Sequence, residues 1–218
     1  LLPAFWAHLV DRTQLWNPEY CEAIHFKGTE VWAEGTWSGG LLWDASIVAA
    51  ELFLESPVWH ERLKGKTCLE LGCGLALPGL TCHLLGCSRT TLTDRPAVAA
   101  LVQDGITLNS LDEAKVCSKS FEWDSAGAEE LLATLGGPPD VMVACDCIFA
   151  PLFGDSILLL EVLLLLAGPA TWVVVASERR PGDGVDTFRE KAEQRGFEVR
   201  DACAMRAGVT VVEMRLPR

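Results

Sequence analysis

The run from Thr67 to Gly79 reads Thr-Cys-Leu-Glu-Leu-Gly-Cys-Gly-Leu-Ala-Leu-Pro-Gly and passes from a short apolar strand into a glycine-rich turn, then into a helix. Gly72 and Gly74 let backbone N–H groups approach a ligand closely and take positive φ without a Cβ clash. Glu70 stands at the carboxyl end of the strand, where open α/β sheets bind their ligands. A dinucleotide site needs G-x-G-x-x-G, with the helix N-terminus facing a pyrophosphate. Here the third small residue, Ala76, comes one position early, and the Glu70 charge would repel a diphosphate. A cationic ligand bearing an amine fits better. S-adenosylmethionine, with its sulfonium and amino group, is such a ligand. The plain alternative is a tight strand–helix turn that holds nothing.

Asp94 closes Thr91-Leu92-Thr93-Asp94, the next strand. An acid there can accept both ribose hydroxyls of an adenosine. It can equally cap the helix that opens at Pro96, and it suits a nicotinamide cofactor as well. Trp123, after the third strand, offers a flat indole face for an adenine, or a core side chain. Asp146 and Phe149 follow the fourth strand, an acid and an aromatic three positions apart. That pair suits an acceptor lysine. The amine has a pKa near 10.4, so freeing it of its proton at pH 7 costs roughly 4–5 kcal/mol. A carboxylate orients the ammonium, and a ring face attracts it. Burial beside a sulfonium then favours the neutral amine, and in-line alignment of nitrogen, methyl carbon and sulfur completes the requirement. No metal is needed. Asp146 as a helix cap is the bland alternative. Trp43, ahead of Asp44, either staples a helix to the core or folds back over the methionine end of the ligand. Ser177-Glu178-Arg179-Arg180 runs into Pro181-Gly182-Asp183-Gly184, which reads as a rim loop over the acceptor cleft or as a solvated turn.

The elements that position these residues alternate. Asp44 caps a helix over 45–54 that Pro57 closes. A strand over 67–71 leads to a helix over 77–85, stopped by Gly86. A strand over 90–93 follows, and Pro96 opens a helix over 97–109. Strand 116–121, helix 125–135 and strand 141–144 come next, the last apolar throughout as a central parallel strand should be. Helix 155–166, strand 172–176 and helix 185–195 precede two strands, 198–203 and 209–215. The short link between those two forbids a helical crossover, so they pair antiparallel. The expected fold is α/β, a doubly wound, mostly parallel seven-stranded sheet with a C-terminal antiparallel hairpin. Residues 1–40 read as an irregular, tryptophan-rich extension packed on this domain, with a hairpin or edge strand over 24–32.

The 218 residues suit one domain with a sizeable core. A formal charge of -12 speaks against a nucleic-acid partner, since phosphate binding draws on clustered Lys and Arg. It is compatible with a basic protein substrate. Nine cysteines form no C-x-x-C pair, and four histidines have no ligand spacing, so reduced thiols and no metal are expected. That points to the cytoplasm, with the nucleus as a second compartment. The longest apolar run, 157–167, is interrupted by Glu161 and is too short for a bilayer, so no membrane partner is expected. No secretory leader is visible, and a monomer is expected.

Taken together the pattern resembles the seven-β-strand methyltransferases, and more narrowly the family 16 protein-lysine methyltransferases, whose members act on chaperones and translation elongation factors. The resemblance is carried by Leu42-Trp43-Asp44-Ala45, Leu69 to Gly79, Thr93-Asp94-Arg95-Pro96, Asn109, Glu122-Trp123 and Asp140 to Phe149. It implies cofactor contacts at Trp43, Glu70, Gly72, Cys73, Gly74, Asp94, Trp123 and Cys145, and acceptor-side roles for Asp146 and Phe149. Ala76 stands where many members have glycine, and Phe149 where tyrosine is common. The expected reaction is methyl transfer from S-adenosylmethionine to a protein lysine. Its rivals are methylation of a histidine, a protein N-terminus or a small molecule, a nicotinamide-dependent oxidoreductase, and a silent interaction module.

Overall fold

Residues 37–40 and 42–217 are described by a computed structural model. A 3₁₀ turn, Trp37–Gly40, precedes helix α1, Asp44–Glu55. Then follow α2 (Pro57–Leu63), β1 (Thr67–Leu71), α3 (Leu77–Leu84), β2 (Arg89–Asp94), α4 (Pro96–Leu108) and β3 (Val116–Ser120). The second half runs α5 (Ser125–Leu135), β4 (Val141–Cys145), α6 (Ala150–Phe153), α7 (Ile157–Leu166), β5 (Trp172–Glu178), α8 (Val185–Gln194), β6 (Glu198–Asp201) and β7 (Val209–Arg215).

The strands form one sheet in the order β3-β2-β1-β4-β5-β7-β6. β1 to β5 are parallel, while β7 is antiparallel to both β5 and β6. This is the expected doubly wound sheet with its terminal hairpin. Alternate residues serve opposite faces, as the two-residue strand period requires. Leu69, Leu71, Met142, Ala144, Val173 and Val175 join Leu159, Leu163 and Phe188 in one core cluster. Cys68, Val141, Val143, Val174 and Ala176 join Val48, Phe53, Trp59 and Leu63 in a second, and Leu92, Val98, Val102 and Ile106 belong to a third. β4 is buried at every position because helices cover both of its faces.

Several local expectations shift for physical reasons. Trp43, not Asp44, is the N-cap of α1, and its side chain makes no cap bond. Asp44 instead puts its charge in the first turn, where the helix dipole favours an anion. Pro57 does end α1, but it also opens α2, because its fixed φ and missing N–H suit a first helical turn. α6 was not expected. Among residues 1–40 only the 3₁₀ turn is described, so the proposed hairpin over 24–32 lies outside the described residues. That turn sits close to both the glycine loop and α4. A Cβ on Gly74 would come 3.3 Å from the Gly39 carbonyl oxygen, and one on Gly39 would come 2.5 Å from Val98.

Candidate active site

The chain winds one way from β1 through β2 to β3 and the other way through β4 to β5, so the strand order reverses between β1 and β4. Open α/β sheets bind ligands at such a switch point, outside the carboxyl ends of the strands. The glycine turn lies there. Gly72 and Gly74 have φ of 60° and 51°, a region that penalises any Cβ. A Cβ on Gly72 would also lie 2.8 Å from Cys147 Sγ and 3.4 Å from the Trp123 ring. The indole of Trp123 therefore stands directly beside the turn, packed on one edge of the core. Ala76 shares the left-handed conformation at φ 60° and is the N-cap of α3. Two bonds pin the turn to β2: Cys73 N–H donates to the Thr93 carbonyl at 2.9 Å, and Gly74 N–H donates to Asp94 Oδ2 at 2.9 Å.

Asp94 thus braces the glycine turn rather than capping α4. Its Oδ1 accepts the Arg95 amide at 2.8 Å, and Arg95 is the helix cap. Each oxygen keeps a second lone pair that can accept a further hydrogen bond. Burial raises the Asp94 pKa, against the lowering effect of the two amides.

Glu70 differs from the sequence-based picture of a charge facing an open crevice. It is 1% exposed, and its Oε2 accepts the Gly79 amide of α3 at 2.8 Å. The physical reason is the free N–H groups in the first turn of a helix, which draw a nearby carboxylate. Burial pushes its carboxyl up to about 8, helped by the Asp94 charge and opposed by the Gly79 bond. Buried against α3, the Glu70 carboxyl faces the Gly79 amide and not an open crevice.

The negative charge lies instead at the ends of β4 and β5. Asp146 follows β4 with φ 53°. Its N–H donates to the Ala176 carbonyl at 2.8 Å, and its Oδ1 accepts the Glu178 amide at 3.0 Å. Burial raises its pKa, while the Glu178 amide and the Arg180 guanidinium pull the other way. Arg180 Nη2 donates to Asp146 Oδ2 at 2.6 Å and also pairs with the Glu178 carboxylate. The Arg180 Cζ lies 5.0 Å from the Phe149 ring centre and 5.3 Å from that of Trp43. Trp43, Asp146 and Phe149 are therefore assembled around one cation. Cys147 is buried beside the glycine turn, its Sγ donating to the Leu71 carbonyl at 3.5 Å, while Cys145 is buried in the cluster that holds Val143 and Ala176. Among the described residues no group of three or more His, Cys, Asp or Glu is arranged to hold a metal ion.

A family model described as lysine methyltransferase matches residues 27–197. The chain belongs to the lysine methyltransferase family. The match begins inside the expected N-terminal extension. The protein N-terminal and lysine N-methyltransferase EFM7 of Yarrowia lipolytica is 26% identical over 201 residues, covering 83% of this chain and 72% of that protein. The EEF1A lysine methyltransferase 3 of Xenopus tropicalis is 28% identical over 183 residues, 80% of this chain and 76% of that one. The chain spans 63–76% of the length of the first curated relatives it matches. A methyltransferase structure from Pyrococcus furiosus superposes with a TM-score of 0.60 at 17% identity, over 79% of this chain and 83% of that one. The fold is thus that of the Rossmann-like methyltransferases, and this family member is a methyltransferase.

The run from Ser177 to Arg180, read from the sequence as a rim loop over the cleft or a solvated turn, does reach Asp146, but the pairing of Arg180 with Asp146 and Glu178 was not foreseen. The available signal was the expected parallel sheet, which makes consecutive strands β4 and β5 neighbours. That adjacency brings the residue after Cys145 against the end of β5.

Proposed function

We propose that this methyltransferase uses S-adenosylmethionine to methylate a lysine ε-amine on a protein substrate. The observation that carries the reading is the enclosure made by Asp146, Glu178, Phe149 and Trp43. It holds a side-chain cation at the carboxyl end of the sheet, beside the glycine turn.

The turn fits an adenosine-bearing cofactor. The Cβ-free backbone at Gly72 and Gly74, with Cys73 between them, would take its close approach. Trp123 would stack the adenine, Asp94 would accept from the ribose, and Trp43 and the Cys145 backbone would meet the methionine end. Glu70 contributes by holding α3 to the turn. When bound, S-adenosylmethionine supplies an electrophilic methyl group whose leaving sulfur becomes a neutral thioether. Asp146 and Glu178 accept hydrogen bonds from the incoming ammonium and fix its direction, while the ring of Phe149 attracts it. The two carboxylates favour the ammonium, so its proton leaves to solvent before attack only against their pull, a loss that the like charge of a bound sulfonium would assist.

An α-amine at a protein N-terminus presents the same ammonium, and the EFM7 relative is named for both acceptors. The relatives named for EEF1A make a translation factor the first substrate class to try. Eight free cysteines among the described residues support a reducing compartment, the cytoplasm.

The test has two arms. Calorimetric titration should show S-adenosylhomocysteine binding and no NAD binding, and the reverse result would sink the methyltransferase site. Labelled methyl donor should then mark a lysine in a cell-extract protein, located by mass spectrometry. Asp146→Ala should lower that labelling at least a hundredfold while cofactor affinity changes less than about threefold.

A further inference from the structure

Arg180 occupies the place that the acceptor amine needs. Its guanidinium bridges two carboxylates of unlike depth. The Asp146 side chain is 4% exposed, whereas that of Glu178 is 34% exposed at the rim. Both ring faces that would receive an alkylammonium, Phe149 and Trp43, already face this cation. Guanidinium keeps its charge at any physiological pH, so Arg180 cannot itself be a methyl acceptor by losing a proton as an amine does.

The neighbouring chain holds Arg180 in this direction. Its own N–H donates to Asp183 Oδ2 at 2.9 Å. Arg179 points away, with Nε on Asp183 at 2.9 Å and its two terminal nitrogens on Asp186 at 3.0 and 2.8 Å. Arg179 N–H donates to the Gly208 carbonyl at 2.8 Å, which fastens this segment to the turn before β7. One arginine is anchored outward and its neighbour inward. The two carboxylates carry two negative charges against one guanidinium, so the enclosure still favours added positive charge.

We propose that Arg180 is a specificity-determining resident cation: the acceptor amine enters by exchanging for the Arg180 guanidinium on Asp146. This inference rests on the acceptor site proposed above. The unequal depth of the carboxylates gives the exchange a route. Arg180 can release the buried Asp146 and keep the rim carboxylate of Glu178, moving its charge toward water. A cation can then replace it within reach of the two rings. A neutral side chain leaves Asp146 without its partner, which is costly for a buried carboxylate. Arg180 thereby screens acceptors without touching the transferred methyl.

The exchange is testable with a lysine side-chain surrogate. n-Butylammonium chloride is titrated by NMR into the full chain at constant ionic strength, with and without S-adenosylhomocysteine, and n-butanol serves as the neutral control. Arg180→Ala and Arg180→Gln should bind n-butylammonium at least tenfold more tightly than the parent chain, with no gain for n-butanol. Arg180→Gln retains a hydrogen bond to Asp146 without the charge and covers the case in which the alanine variant fails to fold. Unchanged or weaker butylammonium affinity in a folded variant overturns the exchange. An equal gain for n-butanol also overturns it, because that gain reports space alone. Failure of S-adenosylhomocysteine to bind the parent chain counts against the methyltransferase site instead, and the titration without it still judges the exchange.

Discussion

Glu70 is the residue whose chemistry changed most between sequence and structure. Its burial and its bond to Gly79 turn a candidate ligand contact into a titrating group inside the fold. The folded-state pKa of about 8 exceeds the ordinary value of 4.5. Below pH 4.5 the carboxyl is protonated in both states and has no influence on pH dependence. Between there and about 8 only the unfolded chain releases the proton, so the folded state loses stability as pH rises. Above that value both states are ionised and the slope ends. At 1.36 kcal/mol per pH unit the loss has an upper bound of about 5 kcal/mol. Glu70→Gln should remove this slope, so the stability of the variant relative to the parent should climb between pH 5 and pH 8. Urea denaturation across that range measures it, and parallel curves for the two proteins would refute the assignment. The sequence already set Asp146 and Phe149 at the acceptor side and Gly72 and Trp123 together near a ligand. It could not tell which oxygen of which acid meets a helix amide, because that depends on how closely α3 lies on β1.

At the scale of elements, that closeness has a measurable cause. Gly79 lies on the face of α3 turned to the sheet, and a Cβ there would stand 2.4 Å from the Leu92 side chain and 2.5 Å from Glu70 Oε2. Gly79→Ala should therefore cost about 1–3 kcal/mol through overpacking, read from the urea midpoint. It should also weaken S-adenosylhomocysteine binding by displacing the glycine turn. A variant as stable as the parent would mean that α3 can shift freely. Strands and long helices were legible because their signals are local: apolar runs at β1, β4 and β5, Pro96 at the start of α4, and Gly136 after α5. α2 was not legible, since proline signals both a stop and a start. α6 spans only Ala150–Phe153, too short for any periodicity. The proposed acceptor enclosure was legible as two segments, the Asp146–Phe149 loop and the Ser177–Arg180 rim, but not as an ion pair, because the contact of Arg180 with Asp146 depends on the two strand ends being neighbours.

For the whole molecule, the two faces of the sheet carry separate cores, and the rim loop is continuous with one of them. Phe188, 1% exposed on α8, joins the cluster that includes Leu71, Ala144 and Val175. α8 begins right after the Arg180–Gly184 segment. Phe188→Ala should destabilise the protein by about 3–5 kcal/mol, the usual cost of removing a buried aromatic side chain. Chemical denaturation gives the value, and a loss below about 1 kcal/mol would mean that this face does not pack as described. The doubly wound order itself was legible from the alternation of elements, because handed crossovers leave few topologies open. The charge of -12 had no such bearing on the fold.

β7 lies between β5 and β6, although it is the last of the seven to be made. On the ribosome, β6 therefore emerges with no neighbour to join, and the outer edge of β5 waits uncovered. The bond from Arg179 N–H to the Gly208 carbonyl cannot form until that final hairpin arrives. A nascent chain of this protein should thus leave the Arg179–Arg180 segment unfastened until Gly208 has left the ribosome.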